Sequence, residues 1–166
     1  SEPLIDYVIC SHPDQDHASG LTEILNNFNV GTLVMNRPWL YIDELFPLVS
    51  DGRITKASLE RRLHESYPYI DELESLAVEN GITIQEGFQG TTIDSKLTIL
   101  SPSKEFYLQL LAESSKTPLQ EKADNLFAFV VKAVKNALES WTNELIREDV
   151  ETSAENESSI IILGDM

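Results

Sequence analysis

The sequence predicts an α/β fold, a mixed sheet with flanking helices, and three observations predict it. An apolar run (Leu4, Ile5, Tyr7, Val8, Ile9, Cys10) stops at a polar loop, after which Leu21, Ile24, Leu25 and Phe28 recur at helical spacing. A second apolar run, Val30 to Asn36, follows that helix across a short link, as in a parallel β-α-β unit. Strand-like text then returns between Gly81 and Pro102, after a long helical stretch.

The other elements follow in order. Arg37-Pro38 ends the second strand, because proline has no N–H to give to a ladder. The helical segment 39–80 carries three apolar stripes: Leu45, Leu48 and Val49; Leu59, Leu63 and Tyr67; Ile70, Leu73, Leu76 and Ala77. Asp51-Gly52 and Tyr67-Pro68 separate them, and Gly81 stands where a left-handed residue closes a helix. Ile82-Thr83-Ile84, Thr92-Ile93 and Lys96 to Leu100 read as an antiparallel set added to the parallel pair. Lys104 to Glu113 begins another helix, with Phe106, Leu110 and Leu111 inward. The longest helix runs from about Leu119 to Arg147 and bears Trp141 on its apolar stripe. Glu148 to Glu157 has almost nothing apolar to bury and reads as a linker. Ile160 to Leu163 is the last strand, with Gly164-Asp165 as a turn.

At 166 residues and 42% hydrophobic content, the chain suits one domain with a core of its own. No apolar run is long enough to span a membrane, so no membrane segment is expected. The single cysteine, Cys10, excludes a disulfide framework and points to a reducing, cytoplasmic setting; Cys10 itself reads as a small buried apolar residue. A net charge of −16 argues against a broad nucleic-acid surface, because Lys and Arg supply the affinity for phosphate backbones.

The chemistry concentrates in Ser11-His12-Pro13-Asp14-Gln15-Asp16-His17, at the C-terminal end of the first strand, where α/β folds place their sites. Residues two apart in an extended loop point the same way. His12 and Asp14 can therefore hold one metal ion while Asp16 and His17 turn toward a second. Imidazoles with carboxylates suit Zn²⁺ or Mn²⁺ better than soft ions. Two of the three histidines of the chain lie in this loop. The plain alternative is a capping loop, with Asp16 or Ser19 capping the helix. The third histidine, His64, reads as a surface or half-buried helix residue outside the site.

The run S-H-P-D-Q-D-H-A-S-G-L, Ser11 to Leu21, resembles the signature loop of the metallo-β-lactamase superfamily, H-x-H-x-D-H, with Asp14 in place of the second histidine. That variant resembles the branch containing the metallo-hydrolase domain of the DNA-uptake competence channel protein and its free-standing soluble relatives. The resemblance implies that residues 1–166 are a single incomplete metallo-hydrolase domain, the central part of an αββα sandwich. It places further strands and the remaining ligands beyond Met166, so the chain as given is expected to be inactive. It also makes the segment from about 104 to 147 a helical insertion. Asn156 stands near the place of the family's third-ligand histidine; either its amide oxygen contributes weakly or the position is not a ligand. Sheet edges left uncovered in such a piece would favour self-association.

The expected function is metal-dependent hydrolysis, with phosphoester bonds the leading substrate class by resemblance. Two divalent ions would lower the pKa of a water and present hydroxide to the scissile centre, with Asp16 also orienting that water as the catalytic residue. The charge of −16 suits a small phosphoester or nucleotide better than long DNA, which weighs against a nuclease. The rival class is a non-catalytic binding or regulatory module that keeps the fold, suggested by Asp14, Asn156 and the helical insertion. Tight uptake of about two metal ions by the complete protein separates these readings.

Overall fold

The computed structural model describes residues 4–49, 54–114 and 158–164, with the side chains of Asp16 and His17 outside that description. The fold is α/β. β1 (Leu4–Ile9), α1 (Gln15–Asn27) and β2 (Asn29–Val34) form the expected parallel unit, paired from Leu4↔Asn29 to Ile9↔Val34. A 3-10 turn at Pro38–Tyr41 leads into α2 (Ile42–Val49), α3 (Lys56–Ser66) and α4 (Pro68–Glu79).

Local chemistry fixes these boundaries. Thr55 and Ser58 close a reciprocal capping box on α3, satisfying two N–H groups that the first turn leaves unpaired. Pro68 opens α4, where its missing N–H costs nothing. Gly81, at φ +68°, ends it in the left-handed conformation that a side chain would disfavour.

The strand text after Gly81 divides differently from expectation. β3 (Thr83–Gln85) pairs parallel to β2, from Thr32↔Thr83 to Val34↔Gln85, because a helical crossover returns the chain in its original direction. Only β4 (Thr92–Ile93) and β5 (Leu97–Ser101) are antiparallel, and with β6 (Ile161–Gly164) they form a separate sheet in the order β4-β5-β6. The mixed sheet is thus two sheets, one parallel and one antiparallel. Gly164 still pairs with Leu97, so β6 runs into the position expected for a turn, and Asp165 lies outside the described residues.

Alternation along β1 divides the core in two. Val8 and Cys10 join the helices in one cluster, whereas Tyr7 and Ile9 join Val34, Ile93, Ile99 and Ile160 in a second cluster between the sheets. Successive residues of the central strand, Leu33 and Val34, are both 0% exposed, as a strand covered on both faces requires. Gly87 lies at the crossing. A Cβ there would sit 2.5 Å from Ile160 Cδ1 and 3.1 Å from Val34 Cγ1, so the approach of the two sheets depends on glycine.

Two helix faces depart from the expected stripes. α2 buries Leu45 and Val49, four apart, and leaves Leu48 46% exposed. α5 (Lys104–Glu113) buries Tyr107, Leu108, Leu110 and Leu111, while Phe106 is half-buried. The Tyr107 ring sets that rotation, meeting Tyr41 and Phe88 edge-on at 6.4 and 5.5 Å. The long Trp141 helix, the acidic linker and Asn156 lie outside the described residues. No helix among the described residues is long and apolar enough to cross a membrane.

Candidate metal centre

The site begins where β1 leaves the sheet. The Cys10 N–H donates to the Val34 carbonyl at 2.9 Å, tying the end of β1 to β2. The Cys10 side chain is buried, as expected, and its thiol donates to the His12 carbonyl at 3.3 Å. Burial pushes this thiol up to about 12, against a lesser opposing effect of its bond to His12. At neutral pH Cys10 is therefore neutral, neither nucleophile nor ready ligand, and it serves to pin the loop.

His12 and Asp14 occupy the loop itself. Ser11 Oγ lies 3.0 Å from His12 Nδ1, an outer contact of the kind that orients a coordinating imidazole. Asp14 is the N-cap of α1, in extended conformation at φ −73° and ψ 148°, and its carbonyl accepts the first helical bond from the Ala18 N–H at 2.8 Å. Asp16 and His17 consequently belong to the first turn of α1. The four motif residues do not share one loop: two stand on the loop and two on the helix. The capping position falls to Asp14, not to Asp16 or Ser19.

The side chains of Asp16 and His17 lie outside the described residues. Among the described residues no three His, Cys, Asp or Glu side chains gather as a metal site, so the described donors are the pair His12 and Asp14. An imidazole engaged at Nδ1 by a hydroxyl, with a carboxylate two residues on, is a donor set that fits a divalent ion of the Zn²⁺ or Mn²⁺ class.

Distant parts of the chain close on this loop. A pocket of about 20 Å³, enough for a water-sized guest, is lined by His12 and Pro13 together with Asn36, Pro38, Tyr107 and Ser158. The Ile160 N–H donates to the Ser11 carbonyl at 2.9 Å, so the entry to β6 is bonded to the loop. Tyr107, buried in α5, donates from its hydroxyl to the Asn36 carbonyl at 3.4 Å, and burial raises its pKa.

Behind Asn36 and Pro38 stands a charged network. Arg37 donates from Nε to Glu86 Oε1 and from Nη1 to Glu74 Oε1, each at 2.7 Å. Trp39 Nε1 donates to Glu74 Oε2 at 2.8 Å, and the Tyr41 hydroxyl donates to Glu86 Oε2 at 2.9 Å. The Arg37 backbone N–H reaches the same Glu86 oxygen at 3.1 Å. Burial opposes the Arg37 charge, but the bonds and charges of Glu86 and Glu74 outweigh it and hold the guanidinium pKa up. Asn36 completes the join: its Oδ1 accepts from the Gly87 N–H at 2.7 Å and its Nδ2 donates to the Gly87 carbonyl at 3.2 Å. Sequence reasoning passed over these residues. The available signal was a run of donors, Asn36-Arg37-x-Trp39-x-Tyr41, directly after a strand.

His64 lies apart, half-buried on α3 as expected. Its ring stacks on Trp39 at 4.0 Å and its Nδ1 lies 2.6 Å from Asp71 Oδ1.

Comparison of the chain with family models, with curated proteins and with solved structures found no match.

Proposed function

We propose that the chain is the core of a metal-dependent hydrolase of the metallo-β-lactamase type, acting on small phosphoesters or nucleotides. The observation that carries this reading is the His12-x-Asp14 pair at the C-terminal end of a parallel strand, with Ser11 against the imidazole and the entry to β6 bonded to the same loop. An antiparallel sheet on one face of the parallel sheet and helices on the other also suit an αββα plan.

His12 and Asp14 would hold the first ion, and Asp16 and His17, from the first turn of α1, the second. A divalent ion bound there lowers the pKa of a water and offsets negative charge developing on a phosphoryl group. The chain's own contribution is order. Ser11 holds the imidazole, the Cys10 thiol holds the His12 carbonyl, and bonds to Val34 and Ile160 fix Cys10 and Ser11, the two residues before His12. A loop so fixed needs little rearrangement to present its donors. Asp16 is assigned the orientation of the attacking water. A cytoplasmic setting suits the free thiol of Cys10.

Metal analysis of the complete protein, followed by hydrolysis of a chromogenic phosphodiester with Zn²⁺ or Mn²⁺, tests the reading. The expected result is bound metal and a metal-dependent rate that Asp16→Asn lowers at least about a hundredfold. Absence of metal uptake would sink the hydrolase and leave the non-catalytic module.

A further inference from the structure

Along the segment after β2, residue types alternate. Asn36 and Pro38 line the same pocket as His12, whereas Arg37, between them, does not line it and bonds to Glu86 and Glu74. A period of two is what an extended backbone imposes. Arg37 thus anchors to Glu74 and Glu86 a segment whose flanking residues, Asn36 and Pro38, line the pocket that His12 also lines. The anchor draws on separate elements: Glu74 comes from α4 and Glu86 follows β3. Both carboxylates are engaged at both oxygens, by Arg37, Trp39 and Tyr41.

We propose that Arg37, clamped by Glu74 and Glu86, is a positioning residue for the His12 loop. This rests on the metal-centre reading. A half-buried charge network of this kind, with Arg37 at 17% and the glutamates at 22% and 21% exposure, is a poor source of stability compared with apolar packing. What it supplies is a single register. The guanidinium fork spans two carboxylates at fixed angles, so the Asn36–Pro38 backbone has one place to sit at the pocket that the imidazole also lines. Asn36 locks the same register through its two bonds to Gly87.

The test uses the complete protein and two readouts: the ¹⁵N–¹H signals of the His12 imidazole, and affinity for Zn²⁺ alone. His12→Gln assigns the ring signals among the three histidines. Arg37→Met empties the clamp, Glu86→Gln weakens it with its shape kept, and Val30→Ala, buried at the start of β2, loosens the core at the strand end away from the loop. Both clamp variants are expected to shift the His12 signals and to weaken Zn²⁺ binding about tenfold, with Val30→Ala leaving both as in the wild type. Arg37→Lys, a point charge that cannot span two carboxylates, is expected to fall between. If Arg37→Met does not fold, Glu86→Gln carries the test. His12 signals unmoved in a folded clamp variant, or moved equally by Val30→Ala, would overturn the proposal. A wild type that takes up no Zn²⁺ would defeat the metal reading alone, and the ring signals would still decide the positioning claim.

Discussion

At the level of single residues, burial sets the protonation of the groups nearest the loop. The pKa values of Cys10, Tyr41 and Tyr107 are all raised, with desolvation the first cause in each. The native chain therefore keeps protons that the unfolded chain releases. Their stabilising contribution is whole below the ordinary thiol pKa of 9.0 and is lost as pH rises, for Cys10 toward about 12. Urea midpoints across that range are expected to fall steadily, and less steeply in Cys10→Ala. The same shift makes Cys10 slow toward thiol reagents at about pH 8 in the native state and fast in denaturant. Asn36→Ala, which strips two bonds from Gly87, is expected to cost about 1–3 kcal/mol in a denaturant titration. The buried Cys10 and the half-buried His64 were legible in the sequence because the strand and the helix that carry them have local signatures. Arg37 was not, since its partners Glu74 and Glu86 stand 37 and 49 positions away and nothing in the chain text joins them.

Among the elements, helices were legible from their stripes, and the exceptions have a physical cause. In Phe46-Pro47-Leu48-Val49 nearly every residue is apolar, so the burial of Leu45 and Val49 rather than Leu48 is decided by packing, not period. The start of α1 falls earlier than the expected caps Asp16 and Ser19: Asp14 takes the N-cap position, with no side-chain cap bond. β3 was misassigned because a strand of three residues carries no sign of its partner's direction. The β4–β5 turn gives an independent check. In this three-residue connection the Lys96 N–H closes a turn on the Ile93 carbonyl at 3.2 Å, and its central residues Asp94 and Ser95 have φ of 49° and 55°, left-handed values that favour glycine. Ser95→Gly is expected to stabilise the protein by about 0.5 kcal/mol, read as a rise in melting temperature.

For the molecule as a whole, periodicity indicated α/β, and only the resemblance implied a two-sheet sandwich; the packing of the sheets depends on long-range contacts of Tyr7, Ile9 and Val34 with Ile93, Ile99 and Ile160. Gly87 is the point where that stacking can be probed. Gly87→Ala places a carbon against Ile160 and Val34 and is expected to destabilise by about 1–3 kcal/mol. Because Ile160 is also bonded to Ser11, the same variant should loosen the loop and weaken metal uptake. The central claim is that this loop holds a metal ion. Calorimetric titration of Zn²⁺ into the complete protein, beside the double variant His12→Ala/Asp14→Ala, tests it most directly. Tight uptake with proton release by the wild type, and a loss of at least about a hundredfold in the double variant, is the expected result. Equal uptake by both, or uptake by neither, would contradict it.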